Sequence, residues 1–541
     1  MILPLYQLLP PVEHLLVQVV LPATIVFGII YLAQRFPTQS SRAILLKLRG
    51  AKKRHNWKPL KSFQYRCSSC ELLLTTADAY WCDYCCVFAD GACLKKVNDS
   101  ICCKALSDDD ASPMKHQYVP GNVMDSTDCD ICGEECLGDL RCVWCHRTVH
   151  TLCRQMLGEI CDFGKMKNFV IPPKCVEKLS KKSRKSNNSL MYSISIPSWA
   201  SSWTPLFVVA NKKSGDNMGE DVLSSFRSIL NPLQVVDLDE NDPKFLCQLI
   251  AALPSEAKPR VLVAGGDGTV AWVLTTMHQC KLRNYPPVAI IPLGTGNDLS
   301  RVLEWGSEEP RPFSAIEYIQ RIKCASEQLL DRWSIQMTKL TRRSLRFSPS
   351  EPKKMFMYNY MSIGVDALVT LDFHQARHSR FYIYSSRMIN KALYLLYGTQ
   401  QVMERECHGL EKSLEVYMDG QKVDLPEIES LVLLNIPCWG AGVKLWQLGS
   451  DGYIEEPIPE QRMNDAKLEV MGIFSSFHVA QLQLGLSQPH RLGQASHVKI
   501  ILKGVAPVQV DGEPWLESPC EFDVTAVDQA IVLANEPIND S

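Results

Sequence analysis

The sequence lacks an excess of charge of either sign: 57 Lys and Arg stand against 59 Asp and Glu, a net charge of −2 over 541 residues. That balance excludes a general attraction to nucleic acid, and any basic function must come from local clustering. Cysteine is sparse over most of the chain, yet fifteen of the 22 fall between Cys67 and Cys161. Disulfide scaffolds belong to short secreted chains. This local density, paired across two intervening residues and interleaved with histidine, reads as zinc-ligand spacing instead. At this length the chain exceeds one cooperative core, and two to four domains are expected.

One stretch has no charge at all. Residues 15–33, LLVQVVLPATIVFGIIYLA, approach the ~20 residues that cross a hydrocarbon core and predict a membrane segment. A cleaved signal peptide is disfavoured, because Glu13 replaces the basic start and no small-residue cleavage site follows. Pro22 allows either a kinked span or a re-entrant hairpin. Between Arg35 and Lys61 no acidic residue interrupts Arg42, Lys47, Arg49, Lys52, Lys53, Arg54 and Lys58. This predicts that the following domains are cytosolic and that the 35–61 flank binds an anionic membrane surface. The expectation is a protein anchored in the endoplasmic reticulum or plasma membrane.

The segment 116–161 presents His116, Cys129, Cys132, Cys142, Cys145, His150, Cys153 and Cys161, eight candidate ligands and enough for two four-coordinate zinc ions. The segment 55–103 is less regular: His55, Cys67, Cys70, Cys82, Cys85, Asp90, Cys93 and either Cys102 or Cys103. Asp90 stands where the second segment has His150, and carboxylate oxygen reaches zinc at about the distance of imidazole nitrogen. Cys86 and Cys136 read as ordinary buried thiols. Residues 162–203, rich in Lys, Ser, Pro and Asn, form a basic linker.

Composition changes near Thr204. Three short apolar runs, Leu206–Ala210, Val261–Ala264 and Val288–Pro292, suit buried parallel strands, and each ends in glycine and polar residues. The loops are Asn211-Lys212-Lys213-Ser214-Gly215, Gly265-Gly266-Asp267-Gly268-Thr269 and Gly294-Thr295-Gly296-Asn297-Asp298. Glycine lets a nucleotide phosphate reach backbone N–H groups where no Cβ intervenes, and a following helix adds its positive end. Asp267 and Asp298 then serve to orient loop amides, the ribose or a Mg²⁺ ion. Alternating patterns at 467–473 and 498–503 predict strands further on.

With NKKSG, AGGDGTVAWVL, IPLGTGNDLSR, LDRW, NYMSIGVDA and VDGEPW, the chain after about residue 50 resembles the eukaryotic diacylglycerol kinases, most like their epsilon type. The 116–161 spacing resembles the diacylglycerol/phorbol-ester cysteine-rich domain. That resemblance implies one zinc on His116, Cys142, Cys145 and Cys161 and another on Cys129, Cys132, His150 and Cys153. The loop between Cys132 and Cys142 is shorter than in that family, so the module is as well suited to docking or stapling as to lipid capture.

The resemblance implies a multi-domain chain: the 15–33 segment, two zinc modules, an α/β ATP-binding domain over 204–330 and a β-rich, sandwich-like domain over 331–541. It implies ATP and Mg²⁺ as cofactors and diacylglycerol as acceptor, with phosphatidic acid formed in phosphatidylinositol turnover. Asp331 is the favoured base, with Glu513 nearby and Asp366 as the alternative. Asp366 reads equally well as a hydrogen-bonded core aspartate. Asp465 lies in a turn resembling a family metal site written Asp-Asp-Gly, from which Asn464 and Ala466 depart.

Overall fold

The computed structural model describes residues 55–536 except 62–64, 75–77, 109–111, 122–126, 137–138, 179–191, 200–202, 213, 216–217, 310–311, 341–351, 379–406, 450–458 and 484–485. Two compact units emerge: Met1–Val176 with Arg227–Pro232, and Glu177–Phe226 with Leu233–Ser541.

In the first unit each cysteine-rich segment folds around a three-stranded antiparallel sheet, Trp57–Pro59, Ala79–Cys82 and Phe88–Asp90 in one, Tyr118–Pro120, Leu140–Cys142 and Thr148–Val149 in the other. Sheets this small bury little apolar surface, and domains of this size draw stability from disulfides, metals or partners. Arg227–Pro232, where helix Met218–Ile229 ends, belongs to this unit. Lys104, fully buried, donates to the carbonyls of Arg227, Ser228 and Leu230 and lies 5.1 Å above the Trp144 ring. A cation is favoured there because the last carbonyls of a helix lack intrahelical partners and carry the negative end of its dipole. Asp83, also buried, pairs with Arg227 at 3.2 Å; burial, opposed by that arginine, pushes its carboxyl up to about 6. Asn231 donates to the carbonyls of Leu106 and Ile171.

The second unit opens as a doubly wound α/β sheet. Its elements are β1 (Leu206–Ala210), α1 (Met218–Ile229), β2 (Val235–Asp237), α2 (Pro243–Ala251), β3 (Arg260–Gly265), α3 (Asp267–Gln279), β4 (Val288–Pro292), α4 (Asp298–Val302) and α5 (Ala315–Cys324). Then follow β5 (Ser326–Lys339), β6 (Lys353–Met357), β7 (Tyr360–Gly364), α6 (Val365–His378), β8 (Leu414–Met418), β9 (Gln421–Val423) and β10 (Ser430–Leu434). The chain ends through β11 (Leu468–Ile473), β12 (His490–Ala495), β13 (His497–Leu502), β14 (Ala506–Val510), β15 (Glu513–Glu517) and β16 (Cys520–Ala534).

Strands β2-β1-β3-β4 are parallel and, apart from Arg260 at the start of β3, buried, which is why they read as continuous apolar runs. β16 joins β4 at Val288↔Val532 and pairs antiparallel along the whole of β5, so the last described strand extends the sheet begun by the parallel strands. The boundary expected at 330/331 therefore falls inside one continuous strand. The other half stacks this sheet on a six-stranded antiparallel one, β12-β11-β10-β7-β14-β15. Alternate residues meet between them: Trp333, Ile335 and Met337, Val498, Ile500 and Leu502, and Phe522 and Val524 from one sheet, Leu431, Leu433, Leu468 and Val470 from the other. The opposite face of β10 and β11, through Val432, Leu434, Met471 and Ile473, packs on Val365 and Leu368 of α6.

The membrane-anchored localisation expected above is overturned: among the described residues no helix is long and apolar enough to cross a membrane. The longest described helix, α6, has 14 residues, about 21 Å at 1.5 Å per residue, against a ~30 Å hydrocarbon core. The 15–33 segment lies outside the described residues.

Candidate active site and zinc clusters

Strand order reverses between β1 and β3, and in doubly wound sheets such a switch is where a crevice opens at the carboxyl ends of the parallel strands. Two glycine loops touch there. A Cβ on Gly294 would lie 2.6 Å from the Gly266 Cα, and one on Gly266 would lie 3.0 Å from the Gly294 Cα, so both positions demand glycine. Gly265 is closed in turn by Thr269, 2.6 Å from its missing Cβ. Gly266 caps α3 with no side chain, leaving that helix's N–H groups directed into the crevice. Asn297, with φ +54°, locks the second loop by accepting from the Gly294 N–H and donating to the carbonyls of Gly294 and Ser307. Its side chain is thus consumed in shaping the loop.

Carboxylates converge on the same place. Asp267 accepts the backbone N–H groups of Asp298 and Leu299; burial raises its pKa against those bonds and one from Asn359. Asp298 accepts from the Ala441 N–H through Oδ2, while its buried Oδ1 has no partner; burial, then the charge of Asp267, pushes it up to about 7. The Asn359 Oδ1 is likewise buried without a partner.

Asp511 and Gly512, at φ +48° and +84°, form the two-residue turn of the β14–β15 hairpin, the conformation an Asp-Gly pair favours. The Asp511 carboxylate accepts three successive N–H groups, from Tyr358, Asn359 and Tyr360, at 2.8, 2.8 and 3.1 Å. Burial still pushes it up to about 7. This anchored turn delivers Glu513 to the start of α3: its Oε1 lies 2.7 Å from where a Gly268 Cβ would be. Glu513 is exposed, so a carboxylate within reach of solvent faces the glycine loop.

Asp331 is placed differently. Its Oδ1 accepts from Gln529 and its Oδ2 from the Ala466 N–H, beside Asp465; burial raises its pKa, opposed by those two bonds. Asp465 accepts from the Lys467 N–H. Asp366 is buried at the start of α6 and accepts from the Ser430 hydroxyl. Among the described residues no hydrogen bond links Asp331 or Asp366 to the glycine loops, whereas Asp267, Asp298, Asp511 and Glu513 gather there. In the loop after β1, the Ser214 N–H donates to the Asn211 carbonyl, and Gly215 accepts from the Met218 N–H. Lys212 pairs with Asp237 and Asp239 at 3.7 and 3.3 Å.

The sequence reading passed over Asp511 as a site residue, and over Asn359. Asp-Gly between two strand patterns was the available signal for the first. Nothing local marked the second.

Among the described residues of the first unit four tetrads gather, each within 4.8 Å: His55, Cys82, Cys85 and Cys103; Cys67, Cys70, Asp90 and Cys93; His116, Cys142, Cys145 and Cys161; Cys129, Cys132, His150 and Cys153. The interleaving is the same in both modules. Cys103 joins a tetrad and Cys102 does not. Sulfur pairs at 3.6 Å (Cys82–Cys103) and 4.0 Å (Cys142–Cys161) match the ~3.8 Å edge of a tetrahedron with ~2.3 Å zinc–sulfur bonds. His55 and His150 turn Nδ1 to the sulfurs and Nε2 to the carbonyls of Ile101 and Glu135, the outer bond that orients a zinc-bound imidazole. Asp90 completes its tetrad, with Oδ2 3.2 Å from the Cys70 sulfur and Oδ1 accepting from the Cys93 N–H.

Residues 116–164 match the family model of the phorbol esters/diacylglycerol binding domain, 205–326 that of the diacylglycerol kinase catalytic domain and 356–514 that of the diacylglycerol kinase accessory domain. Human diacylglycerol kinase theta is 41% identical over 330 residues, 60% of this chain and 34% of its own length. The probable diacylglycerol kinase 3 of Caenorhabditis elegans is 33% identical over 423 residues, 72% of this chain and 52% of its own. The chain thus spans a third to a half of these curated relatives. A solved diacylglycerol kinase from Bacillus anthracis str. Sterne aligns over 62% of this chain and 97% of its own at 15% identity, with a TM-score of 0.37, too loose a likeness to assign the fold. With theta-type relatives matched in this way, the epsilon-type resemblance is not supported. Models of the diacylglycerol kinase catalytic and accessory domains thus match this chain in succession, after a match to the phorbol esters/diacylglycerol binding domain.

Proposed function

We propose that this chain transfers the γ-phosphoryl group of ATP to the free hydroxyl of 1,2-diacyl-sn-glycerol, producing phosphatidic acid. The observation that carries the reading is Glu513, whose carboxylate stands against Gly268 where the first turn of α3 meets the glycine loops. Phosphoryl transfer needs positioning, charge neutralisation and one acceptor for the hydroxyl proton, and little covalent help. Phosphates rest on the N–H groups around Gly265, Gly266 and Gly294, where no side chain intervenes.

Glu513 takes the proton of the attacking hydroxyl. Its exposure suits it to an acceptor arriving from a lipid surface. Asp511 acts at one remove, fixing the hairpin turn and the Tyr358–Tyr360 backbone from which Asn359 reaches Asp267. Asp331 and Asp366, both already satisfied by neighbouring donors, hold the β-rich half together. The orphan oxygens of Asp298 and Asn359 beside Asp267 fit a Mg²⁺ ion shared with the nucleotide. When bound, that cation neutralises charge on the transferring phosphoryl group.

The zinc clusters staple the cysteine-rich modules, and the 35–61 basic flank adds attraction to anionic lipid. Incubation of the purified chain with ATP and Mg²⁺ against a panel of diacylglycerol, sphingosine and ceramide tests the acceptor. Phosphorylation of sphingosine or ceramide in place of diacylglycerol refutes it. Gly266→Asp, which sets a charged side chain against the Gly294 backbone, should abolish turnover with any acceptor.

A further inference from the structure

Arg332, on β5, is fully buried. All three nitrogens of its guanidinium are engaged. Nε donates to the Tyr358 hydroxyl at 2.9 Å and Nη2 to that of Tyr285 at 3.1 Å. Nη1 donates to Asp528 of β16 and, at 2.8 Å, to Nδ1 of His278 on α3. His278 can accept because burial, then the arginine's own charge, lowers its pKa and keeps the ring neutral. A planar fork held at every nitrogen fixes each acceptor in direction as well as distance.

One of those acceptors leads to the crevice. The Tyr358 hydroxyl also accepts from Thr275 of α3 at 3.4 Å, while its N–H is held by Asp511 and its carbonyl accepts from Asn435. The next residue, Asn359, donates to Asp267 and keeps its buried Oδ1 without a partner. Asp267 is the first residue of α3, and Thr275 and His278 lie about 12 and 17 Å further along that helix at 1.5 Å per residue. The Tyr358–Asn359 link between β6 and β7 is therefore gripped by α3 at two places. Asn359 meets its start; Tyr358 meets its later turns, directly at Thr275 and by way of Arg332 at His278. A shift of Tyr358 along the helix would carry Asn359 off Asp267. The competing account is that Arg332 only ties β5 to α3 and β16. Stability alone does not call for an arginine there, because apolar groups in place of a buried ion cluster are often neutral or stabilising.

We infer that Arg332 is a positioning residue for phosphoryl transfer: by fixing the Tyr358 hydroxyl against α3 it sets the Asn359 Oδ1 where a divalent cation is held beside Asp267 and Asp298. This step rests on the shared Mg²⁺ site proposed above. Mn²⁺ binding to the full chain with ADP, followed by loss of the free-ion electron paramagnetic resonance signal, tests it beside the Mg²⁺ dependence of turnover. Tyr358→Phe, which removes only the hydroxyl, should weaken Mn²⁺ about tenfold and raise the KM for Mg²⁺ alike, the low end of what losing an outer partner of a metal ligand costs. The kcat at saturating Mg²⁺ and the KM for diacylglycerol should change little.

Arg332→Lys, which keeps the charge and loses the fork, should act in the same direction. Adding Tyr358→Phe to it should cost nothing further, because both act through one hydroxyl. Tyr358→Phe keeps the test standing where an arginine variant does not fold. A lower melting temperature with Mn²⁺ binding as in wild type overturns the inference, as do losses that add in the double variant. A folded wild type that binds no Mn²⁺ above the amount ADP alone binds overturns the shared-cation reading itself.

Discussion

Replacing Gly268 with alanine should move activity and stability in opposite directions. Gly268 is the second residue of α3, where alanine is favoured over glycine by about 0.8–1 kcal/mol. The added Cβ would lie 2.7 Å from the Glu513 Oε1, 3.7 Å from its Cδ and 4.0 Å from the Asp511 carbonyl oxygen, so only the carboxylate tip is in the way. To reach an ordinary 3.4 Å contact that tip must retreat about 0.7 Å, which an exposed side chain does at little cost to folding. A misplacement near 1 Å at a reacting group costs up to about a hundredfold in rate. We therefore expect kcat to fall roughly ten- to a hundredfold, about 1.4–2.7 kcal/mol in the barrier, with a melting temperature equal to or above that of wild type. The assay is phosphatidic acid formation in mixed micelles beside a thermal melt. Shortening the partner in Gly268→Ala/Glu513→Asp should give a loss smaller than the two single losses combined, because the shorter side chain makes room. A Gly268→Ala enzyme within about threefold of wild-type kcat would refute the placement of Glu513 at the reacting centre.

Other outcomes follow from the same geometry. Asp511, pushed up to about 7, keeps a proton in the folded state that the unfolded chain releases near pH ~4; its contribution to stability is full below pH ~4 and is lost as the pH rises to about 7. Denaturation of Mg²⁺-free protein between pH 4.5 and 7.5 should show a shallower decline in Asp511→Asn than in wild type, and parallel curves would contradict the assignment. The four tetrads predict about four zinc ions per chain by metal analysis, falling to about three in Asp90→Ala and returning to four in Asp90→His. Lys104→Met strips three carbonyls of their donor and should destabilise the cysteine-rich unit by about 3 kcal/mol, read as a lower urea midpoint with the zinc content retained.

What the sequence determined by itself was whatever depends on near neighbours. Cys-x-x-Cys pairs and their histidines mark candidate ligands over short spans, while the division of the second module into two sets came from the family resemblance; the tetrads that gather, Asp90's included, follow the same division. The apolar runs before the glycine loops were legible because parallel strands buried on both faces leave no alternation to misread. Even a conformational detail, the Asp511-Gly512 turn, was available to a reader looking for it.

Tertiary structure alone decided which carboxylates share the crevice. Glu513 meets Gly268, and Asp511 meets the Tyr358–Tyr360 backbone, across long stretches of chain whose spacing carries no periodic signal. Asp331, favoured from resemblance, has both oxygens taken by Gln529 and Ala466, partners brought in by the return of β16 and by a turn before β11. The choice of Cys103 over Cys102 depended on a backbone path that two adjacent identical residues cannot reveal. The commitment of Lys212 to Asp237 and Asp239 likewise required β1 and β2 to lie side by side. A sequence names the groups able to carry charge; which of them are desolvated, paired or left orphaned is a property of the packed chain, because burial and neighbouring charge set both pKa and reach.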